Sequence, residues 1–588
     1  MPNLVINLTR KWVSALTRLK AVTSTIGPDG IRECSLSMRA LEHEFHPDVK
    51  AKVWGYVDSS SPTPNLHYAG PIIETQLTGS PGLRVLWRNE LTNQFLGKAP
   101  NNVLAFGARV GMEEAHMLAK SHNQVHMHGA RVPGTSDGNP METFHPREAH
   151  GFSYPNQQPG ALLWFHDHAM DVTRLNVYAG LYGAHLLRDP SEAALLPTGK
   201  HEIVMILGDR SFTDSTGGLP IQLFYEQPVD FVAAKPSEPA HWEATPEFAG
   251  DYPVVNGKIW PKHNVEPTFQ RFRLANGANA RIFQLSFFDG AVTPTKIPFD
   301  VIGSDGGFLI KPDHRTQGVH LAPGERLDIV VDFSSHAGQQ IFLGTPGEGP
   351  EFRELVRFDV AATLSGSPAP YAPASGGSLP ARTDAITDPH FPKDSHFVEI
   401  AEKVRAVTFQ KKTAIINPAG LGPLRMRRFI LIENRSQITG TLNTAIKSPG
   451  GVMTVALPAG HGAIGNDVTV PMIVVNGKSG NNTPRIKIKK DAMEVWEFIN
   501  HTVDSHPMHI HLVQFRAIER RSISGANVYG TKHNIAEYEH GWKDTIVCLP
   551  DQSTQVLMRF DGEIGDYVYH CHILEHEDMG MMGAFTVE

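Results

Sequence analysis

The residues best equipped for chemistry lie near the C-terminus, where Tyr569-His570-Cys571-His572-Ile573-Leu574-Glu575-His576 runs on to Met581. Side chains of an extended chain alternate faces with a period of two. On a strand, His570 and His572 therefore point one way and Cys571 the other. A thiolate on one face and two imidazoles on the opposite face are joined by only a few covalent bonds. The stretch reads as a short conduit between a metal held by Cys571 and metals held by His570 and His572.

Cys571, then His576, then Met581 offer a thiolate, an imidazole and a weak thioether at five-residue intervals. One further histidine would complete the His₂Cys set with axial Met of a blue copper site. A free cysteine among aromatics also serves as a small buried apolar side chain, and Cys/His clusters also hold zinc. This stretch by itself leaves those readings open.

The other histidines narrow the choice. Four His-x-His pairs occur, at His126/His128, His166/His168, His509/His511 and His570/His572. One pair says little, because two histidines two apart on a strand simply share a face. Four pairs supply eight imidazoles, enough for three metals if one takes two and the others three each. Neutral imidazole suits copper, which heads the affinity order for nitrogen sites. His506 lies three before His509 and five before His511, odd separations that turn it toward the Cys571 face of a continuous strand, though Pro507 intervenes. It would be the second imidazole of the thiolate site. His122, His145, His150, His501, His533 and His540 flank these motifs without fitting the spacing and receive no role.

These side chains need strands to position them. Gly (53) and Pro (43) are frequent among 588 residues, which favours a turn-rich all-β build. Short β-patterned runs lie between turn signals. Ile203–Leu207 is continuously apolar, Leu327–Phe333 follows the Pro323-Gly324-Glu325 turn, and Arg485-Ile486-Lys487-Ile488-Lys489 alternates strictly. Such runs predict Greek-key sandwiches or barrels. A short helix is expected within Pro190–Leu196. A faint repeat marks three units. Val254-Val255-Asn256-Gly257-Lys258 recurs as Val474-Val475-Asn476-Gly477-Lys478, with a looser counterpart at Gly70–Glu74. Each is followed by a run ending in asparagine, at Asn89, Asn276 and Asn500. The expected organisation is an N-terminal extension (1–64), units at 65–190, 191–364 and 386–588, and a Pro/Gly/Ser-rich linker (365–385). Residues 435–465 form a glycine-rich insertion to which no function is assigned.

Composition excludes several classes. Net charge is −8 and no basic patch suggests nucleic acid. No apolar run reaches the ~18 residues of a membrane span. With Cys34, Cys548 and Cys571 the only cysteines, at most one disulfide is possible once Cys571 binds metal, and free thiols are expected at Cys34 and Cys548. The first twenty residues lack an apolar core and cleavage site, so a cytoplasmic location is expected. They read as an arm or an amphipathic helix.

His126-Met127-His128-Gly129, Trp164-Phe165-His166-Asp167-His168, His506-Pro507-Met508-His509-Ile510-His511 and His570-Cys571-His572 with His576 and Met581 resemble the four copper signatures of multicopper oxidases. Met170, Gly541-Trp542-Lys543-Asp544-Thr545 and Leu574-Glu575-His576-Glu577-Asp578 are similar to the branch that holds spore-coat laccases, bilirubin oxidases and phenoxazinone synthases. The resemblance implies three cupredoxin-like domains, the second a spacer, and four coppers. His506, Cys571 and His576 would hold the type 1 ion with Met581 axial. His126 and His509 would hold the type 2 ion. His128, His166 and His572 would hold one type 3 ion, and His168, His511 and His570 the other.

The same resemblance implies that His576 receives electrons from a small aromatic reductant and that the cluster reduces O₂ to water. Glu577 and Asp137 match acidic positions near the cluster, where a carboxylate could relay protons; a salt bridge, or a turn role for Asp137, is the plainer alternative. Phenols, aminophenols and bilirubin-like pigments all fit as donors. A Cu(I) or Mn(II) metallo-oxidase is a rival reading, but soft Cu(I) calls for a methionine-rich insert, and the 17 methionines are scattered apart from 579, 581 and 582. A non-catalytic copper-sequestering protein would have no use for the His-Cys-His bridge.

Overall fold

The computed structural model describes the chain except residues 1–7, 60–67, 78–81, 92–103, 107–121, 171, 214–220, 226–228, 233–240, 245–246, 382–390, 408–412, 433–445, 449–450, 454–470, 474–484, 525–527 and 579–580. Alternating apolar runs pair into sheets stacked two by two along the chain. Near the N-terminus a five-stranded sheet containing Arg32–His46, Val49–Asp58 and Leu83–Asn89 packs with a four-stranded sheet, Ile72–Gln76, Tyr182–Arg188, Ala161–Asp167 and Val125–His128. In the middle, a nine-stranded sheet containing Glu202–Phe212, Phe269–Asn276 and Arg326–Asp332 packs with a six-stranded one. At the C-terminal end, a seven-stranded sheet containing Leu424–Ile432, Met493–Asn500 and Gln552–Arg559 packs with a five-stranded one, Ile486–Ile488, Met582–Val587, Gly565–Cys571, His506–Ile510 and Thr545–Cys548. The architecture is all-β.

The repeated asparagines have a common physical role. Each ends its strand and turns the chain by accepting a hydrogen bond from the backbone N–H two residues on, from Leu91 at 3.1 Å, Ala278 at 2.9 Å and Thr502 at 2.9 Å. This is the local turn that asparagine side chains favour. Asn256-Gly257 forms a two-residue hairpin turn between Tyr252–Val255 and Lys258–Ile259, as Asn-Gly does. Its second copy, at 474–478, lies outside the described residues.

The N-terminal residues do more than extend from the fold. Arg32–His46 pairs in parallel with Leu83–Asn89 and antiparallel with Val49–Asp58, so 1–64 supplies strands of the first sheet. The segment before them is extended rather than helical. Leu16 N–H donates to Lys262 O (2.8 Å) and Val22 N–H to Ile72 O (2.8 Å), bridging the middle and first units. The short helix is Glu192–Leu195. A longer helix, Asp394–Ala406, buries Phe397, Ile400, Ala401 and Val404 against the seven-stranded sheet. Up to residue 381 the linker lies on the middle unit, where Ala369 N–H donates to Thr268 Oγ1 (3.0 Å). Of 435–465, the hairpin Ile446–Ser448 and Gly451–Met453 is described. No described helix is long and apolar enough to cross a membrane.

Strand Phe269–Asn276 shows how alternation sorts side chains. Phe272 and Leu274 face the apolar core, while Arg271 and Arg273, equally buried, form an ion cluster on the other face. Arg271 Nη1 lies 2.9 Å from Glu192 Oε2, Arg273 Nε 2.6 Å from Glu202 Oε1, and Arg188 Nη1 2.7 Å from Glu202 Oε2. Burial pushes Glu202 up, but the charges of Arg273, Arg271 and Arg188 outweigh it and hold the carboxyl down at about 2. Because this lies below its ordinary value of 4.5, the stabilisation is complete above that value and is lost as pH falls toward about 2. Glu192→Ala removes the carboxylate that Arg271 and Arg273 share, leaving them Asp328 and Glu202, and this break in a buried ion cluster is expected to cost about 3 kcal/mol in denaturant unfolding. An unchanged midpoint would contradict this.

Cys34, Cys548 and Cys571 form no disulfide. Burial pushes the thiols of Cys34 and Cys548 up to about 12, and the thiolate is the reactive form. An alkylating reagent should therefore label neither in the native protein and both after unfolding; native-state labelling would show the packing to be wrong.

Candidate metal centre

Pairing register places the histidines. Val125–His128 runs antiparallel to Ala161–Asp167 with His126 directly opposite His166. His506–Ile510 runs antiparallel to Gly565–Cys571 with His509 opposite His570 and Met508 opposite Cys571. Cross-strand partners project from the same face, so each sheet offers a patch of imidazoles, and the two patches meet between the first and third units. His126 Nε2 stands 3.4 Å from His509 Nε2. His128 Nδ1 stands 3.1 Å from His572 Nε2, with His166 in the same group. The Nε2 atoms of His168, His511 and His570 form a triangle of 3.3 Å sides. All eight rings are buried.

The outward nitrogens show which way the lone pairs face. His126 Nδ1 donates to the Asp137 carbonyl (2.7 Å), His166 Nδ1 to Asp167 O (2.8 Å), His509 Nδ1 to Asp544 O (2.9 Å) and His570 Nδ1 to Cys571 O (2.9 Å). His511 Nδ1 bonds the Asp137 carboxylate (2.7 Å). A hydrogen on the outer nitrogen leaves a bare lone pair on the inner one. Lone pairs then face lone pairs about the cluster, and His166 Nε2 has no hydrogen-bond partner. Burial and neighbouring imidazoles push these rings well below their ordinary range, and His168 and His570 to about 4, so protons do not fill the gap at neutral pH. Buried acceptors aimed at one another are stabilised by a cation, and outer-nitrogen hydrogen bonds of this kind are what metal-binding imidazoles make. The donor set fits copper.

On the other side of Gly565–Cys571, Cys571 Sγ lies 3.6 Å from His506 Nδ1 and 3.6 Å from His576 Nδ1, and those two nitrogens are 3.3 Å apart. His506 thus faces away from His509 and His511 despite Pro507, its Nε2 fixed by Thr502 Oγ1 at 2.7 Å. Met581 is buried. Its N–H donates to His576 O (2.8 Å) and its carbonyl accepts from Cys571 N–H (3.0 Å), which ties Met581 to both residues. His576 is itself buried. Met579 lies outside the described residues.

Both candidate acids touch cluster imidazoles. Asp137 holds His511, and burial pushes it well above the usual carboxylate range. Glu577 Oε1 lies 3.0 Å from His168 Nδ1 and accepts from Thr173 Oγ1 (2.8 Å), and burial pushes it up to about 7. Helix Leu574–Asp578, which carries His576, is tied across the seams: Glu575 accepts from Tyr225 OH (2.7 Å) and Asn279 Nδ2 (2.8 Å), and Asp578 from Thr173 and Arg174.

Several supports escaped the sequence analysis. Asp167 turns away from the cluster and ties Asn123 (2.9 Å) to Asn176 (2.7 Å). Asp544 Oδ1 lies 3.0 Å from His128 Nε2. Alternation in His166-Asp167-His168 could have signalled the first; nothing local signals the second. None of His122, His145, His150, His501, His533 and His540 joins a cluster of metal-ligating atoms among the described residues.

Residues 100–192 and 455–588 match multicopper oxidase family models. A laccase from Bacillus subtilis (strain 168) is 30% identical over 578 residues, covering 94% of this chain and 93% of its own. A laccase from Bacillus stratosphericus is 32% identical over 581 residues, with 94% of each covered. The McoA multicopper oxidase of the hyperthermophile Aquifex aeolicus shares the fold, with a TM-score of 0.64 at 22% identity and coverage of 98% of this chain and 99% of that one. With these relatives and this arrangement of imidazoles and thiol, the chain belongs to the bacterial, laccase-type multicopper oxidases, copper-dependent oxidoreductases that take electrons from a reducing substrate and pass them to dioxygen.

Proposed function

We propose that the chain holds four coppers and oxidises phenolic or aminophenolic donors one electron at a time, reducing dioxygen to water. His506, Cys571 and His576 would hold the type 1 ion, with Met581 as its further, weaker ligand. His126 and His509 hold the type 2 ion. His128, His166 and His572 hold one type 3 ion, and His168, His511 and His570 the other. One observation carries this reading. A thiol with two imidazole nitrogens lies on one side of strand Gly565–Cys571, and eight imidazoles meet on the other.

Bound copper supplies one-electron redox steps and the site of dioxygen reduction. The chain's own part is to connect and to protonate. With copper bound, His576 would be the ligand on the donor's side, and Cys571 would link the thiolate site through its peptide to His570 and His572. The bond from His570 Nδ1 to the Cys571 carbonyl (2.9 Å) adds a shorter branch. Each O₂ reduced to two waters consumes four electrons and four protons. Glu577 on His168 and Asp137 on His511 are placed to hold protons at the cluster's edge.

Copper stoichiometry with an absorption spectrum, followed by O₂ uptake on aminophenols, methoxyphenols, bilirubin and Cu(I), tests the reading. Four coppers, a blue band and uptake with the phenolic donors are expected; copper bound without O₂ consumption would contradict it. Cys571→Ser should remove the blue band and stop donor-driven uptake while the cluster copper stays. Glu577→Gln should keep four coppers and the colour but slow O₂ turnover by about 100-fold or more, as loss of a positioned proton donor does. Unchanged O₂ kinetics would retire that role.

A further inference from the structure

The middle unit contributes no candidate ligand, yet its residues reach the cluster. Arg326, at the start of strand Arg326–Asp332, is buried where the three units meet. A guanidinium has five N–H donors, and here all five are used. Nε donates to Leu162 O (3.1 Å), on the strand that carries His166. Nη1 donates to Gly324 O (2.9 Å) and Asp544 Oδ1 (2.7 Å), and Nη2 to Asp305 O (3.2 Å) and Asp544 Oδ2 (2.5 Å). The two bonds to Asp544 make the two-pronged pairing of arginine with carboxylate, which fixes orientation as well as charge.

Asp544 in turn touches two cluster histidines. Its Oδ1 lies 3.0 Å from His128 Nε2, and its carbonyl accepts from His509 Nδ1 at 2.9 Å. His128 is reversed relative to its neighbours, with Nε2 outward and Nδ1 facing His572. A carboxylate at Nε2 keeps the hydrogen there and leaves Nδ1 bare, so the Arg326–Asp544 pair selects the orientation that presents Nδ1 to the cluster.

Independently of the hydrogen bonds, one glycine makes room for this contact and a second for the cluster rings beside it. Gly129 follows His128 at φ +86°; a Cβ there would collide with Arg326 Nη2 and stand 2.7 Å from Asp544 Oδ2. Gly324, at φ +83° in the middle unit's turn, lies over the cluster; its Cβ would stand 2.7 Å from His572 Cδ2 and 3.0 Å from His128 Cε1. The turn is held from behind, where Lys543 Nζ lies 3.1 Å from Glu325 Oε1 and 2.9 Å from Asp305 Oδ2.

We propose that Arg326 is a positioning residue for the copper cluster: by gripping Asp544 with both prongs, it sets the ring of His128 and thereby the retention of cluster copper. This rests on the four-copper reading above. An ion pair that merely stabilised the fold would act on the whole molecule, so its loss would weaken the thiolate site and the cluster together. A positioning role acts on the cluster alone.

The test compares wild type, Arg326→Met and Arg326→Lys in the copper-loaded protein, following total copper and the blue thiolate band during exposure to a chelator. Arg326→Met should keep the blue band while cluster copper is lost about 10–100-fold more readily, the usual scale for removing a metal ligand's outer support. Arg326→Lys, which keeps the charge but not the fork, should fall between. A blue Arg326→Met protein that retains cluster copper like wild type overturns the proposal, as does parallel loss of both sites. If Arg326→Met does not fold, wild-type retention in Arg326→Lys overturns it. Wild type that binds no copper would instead refute the four-copper reading.

Discussion

Buried imidazole lone pairs facing one another across 3.3–3.4 Å are the constraint on which this structure turns. Without protons or a cation between them, they repel and forgo hydrogen bonds they would make in water, a cost of order 1–3 kcal/mol for each unsatisfied buried group. The fold therefore has to supply enough stability elsewhere to hold the rings together before metal arrives. It does so by fastening the outer nitrogens of six of the eight rings, His168 and His572 excepted, to backbone carbonyls or to the carboxylates of Asp137 and Asp544. Each fastening fixes a tautomer as well as a position.

The same constraint explains why the cluster lies between units rather than within one. A sheet can align two or three imidazoles on one face through register, as His126 with His166 and His509 with His570. It cannot surround a point. Closing the set requires a second sheet, and hence charged contacts that lock the sheets together: helix Leu574–Asp578 against Thr173, Arg174 and Asn279, and Asp544 against Arg326. Sulfur is kept apart from this crowd by strand alternation at Cys571, which places the thiol group and the eight imidazoles on opposite sides of one strand.

The grouping of the histidines with the thiol was legible in the sequence because its signals are local. Spacing of two on a strand fixes a shared face, and the odd offset of His506 fixes the opposite one, a reading that held through Pro507. The asparagines at 89, 276 and 500 were legible as a repeat, though their turn-forming role needed coordinates. Supports acting over hundreds of residues were not legible. Asp544 meets His128 across the interface between units, and nothing in Gly541-Trp542-Lys543-Asp544-Thr545 names its partner. Residues 32–58 read as an extension because the strand they pair with comes later in the chain. The helix Asp394–Ala406 was missed beside a Pro-rich linker, because its four buried residues alone carry the 3.6-residue period.

Anomalous diffraction at the copper edge from crystals of the metal-loaded protein tests the central claim most directly. The account predicts one peak beside Cys571 Sγ, between His506 and His576, and three more within the ring of eight histidines on the far side of strand Gly565–Cys571. A map with no copper at the sulfur, or with the metal gathered on one side of that strand only, would contradict it.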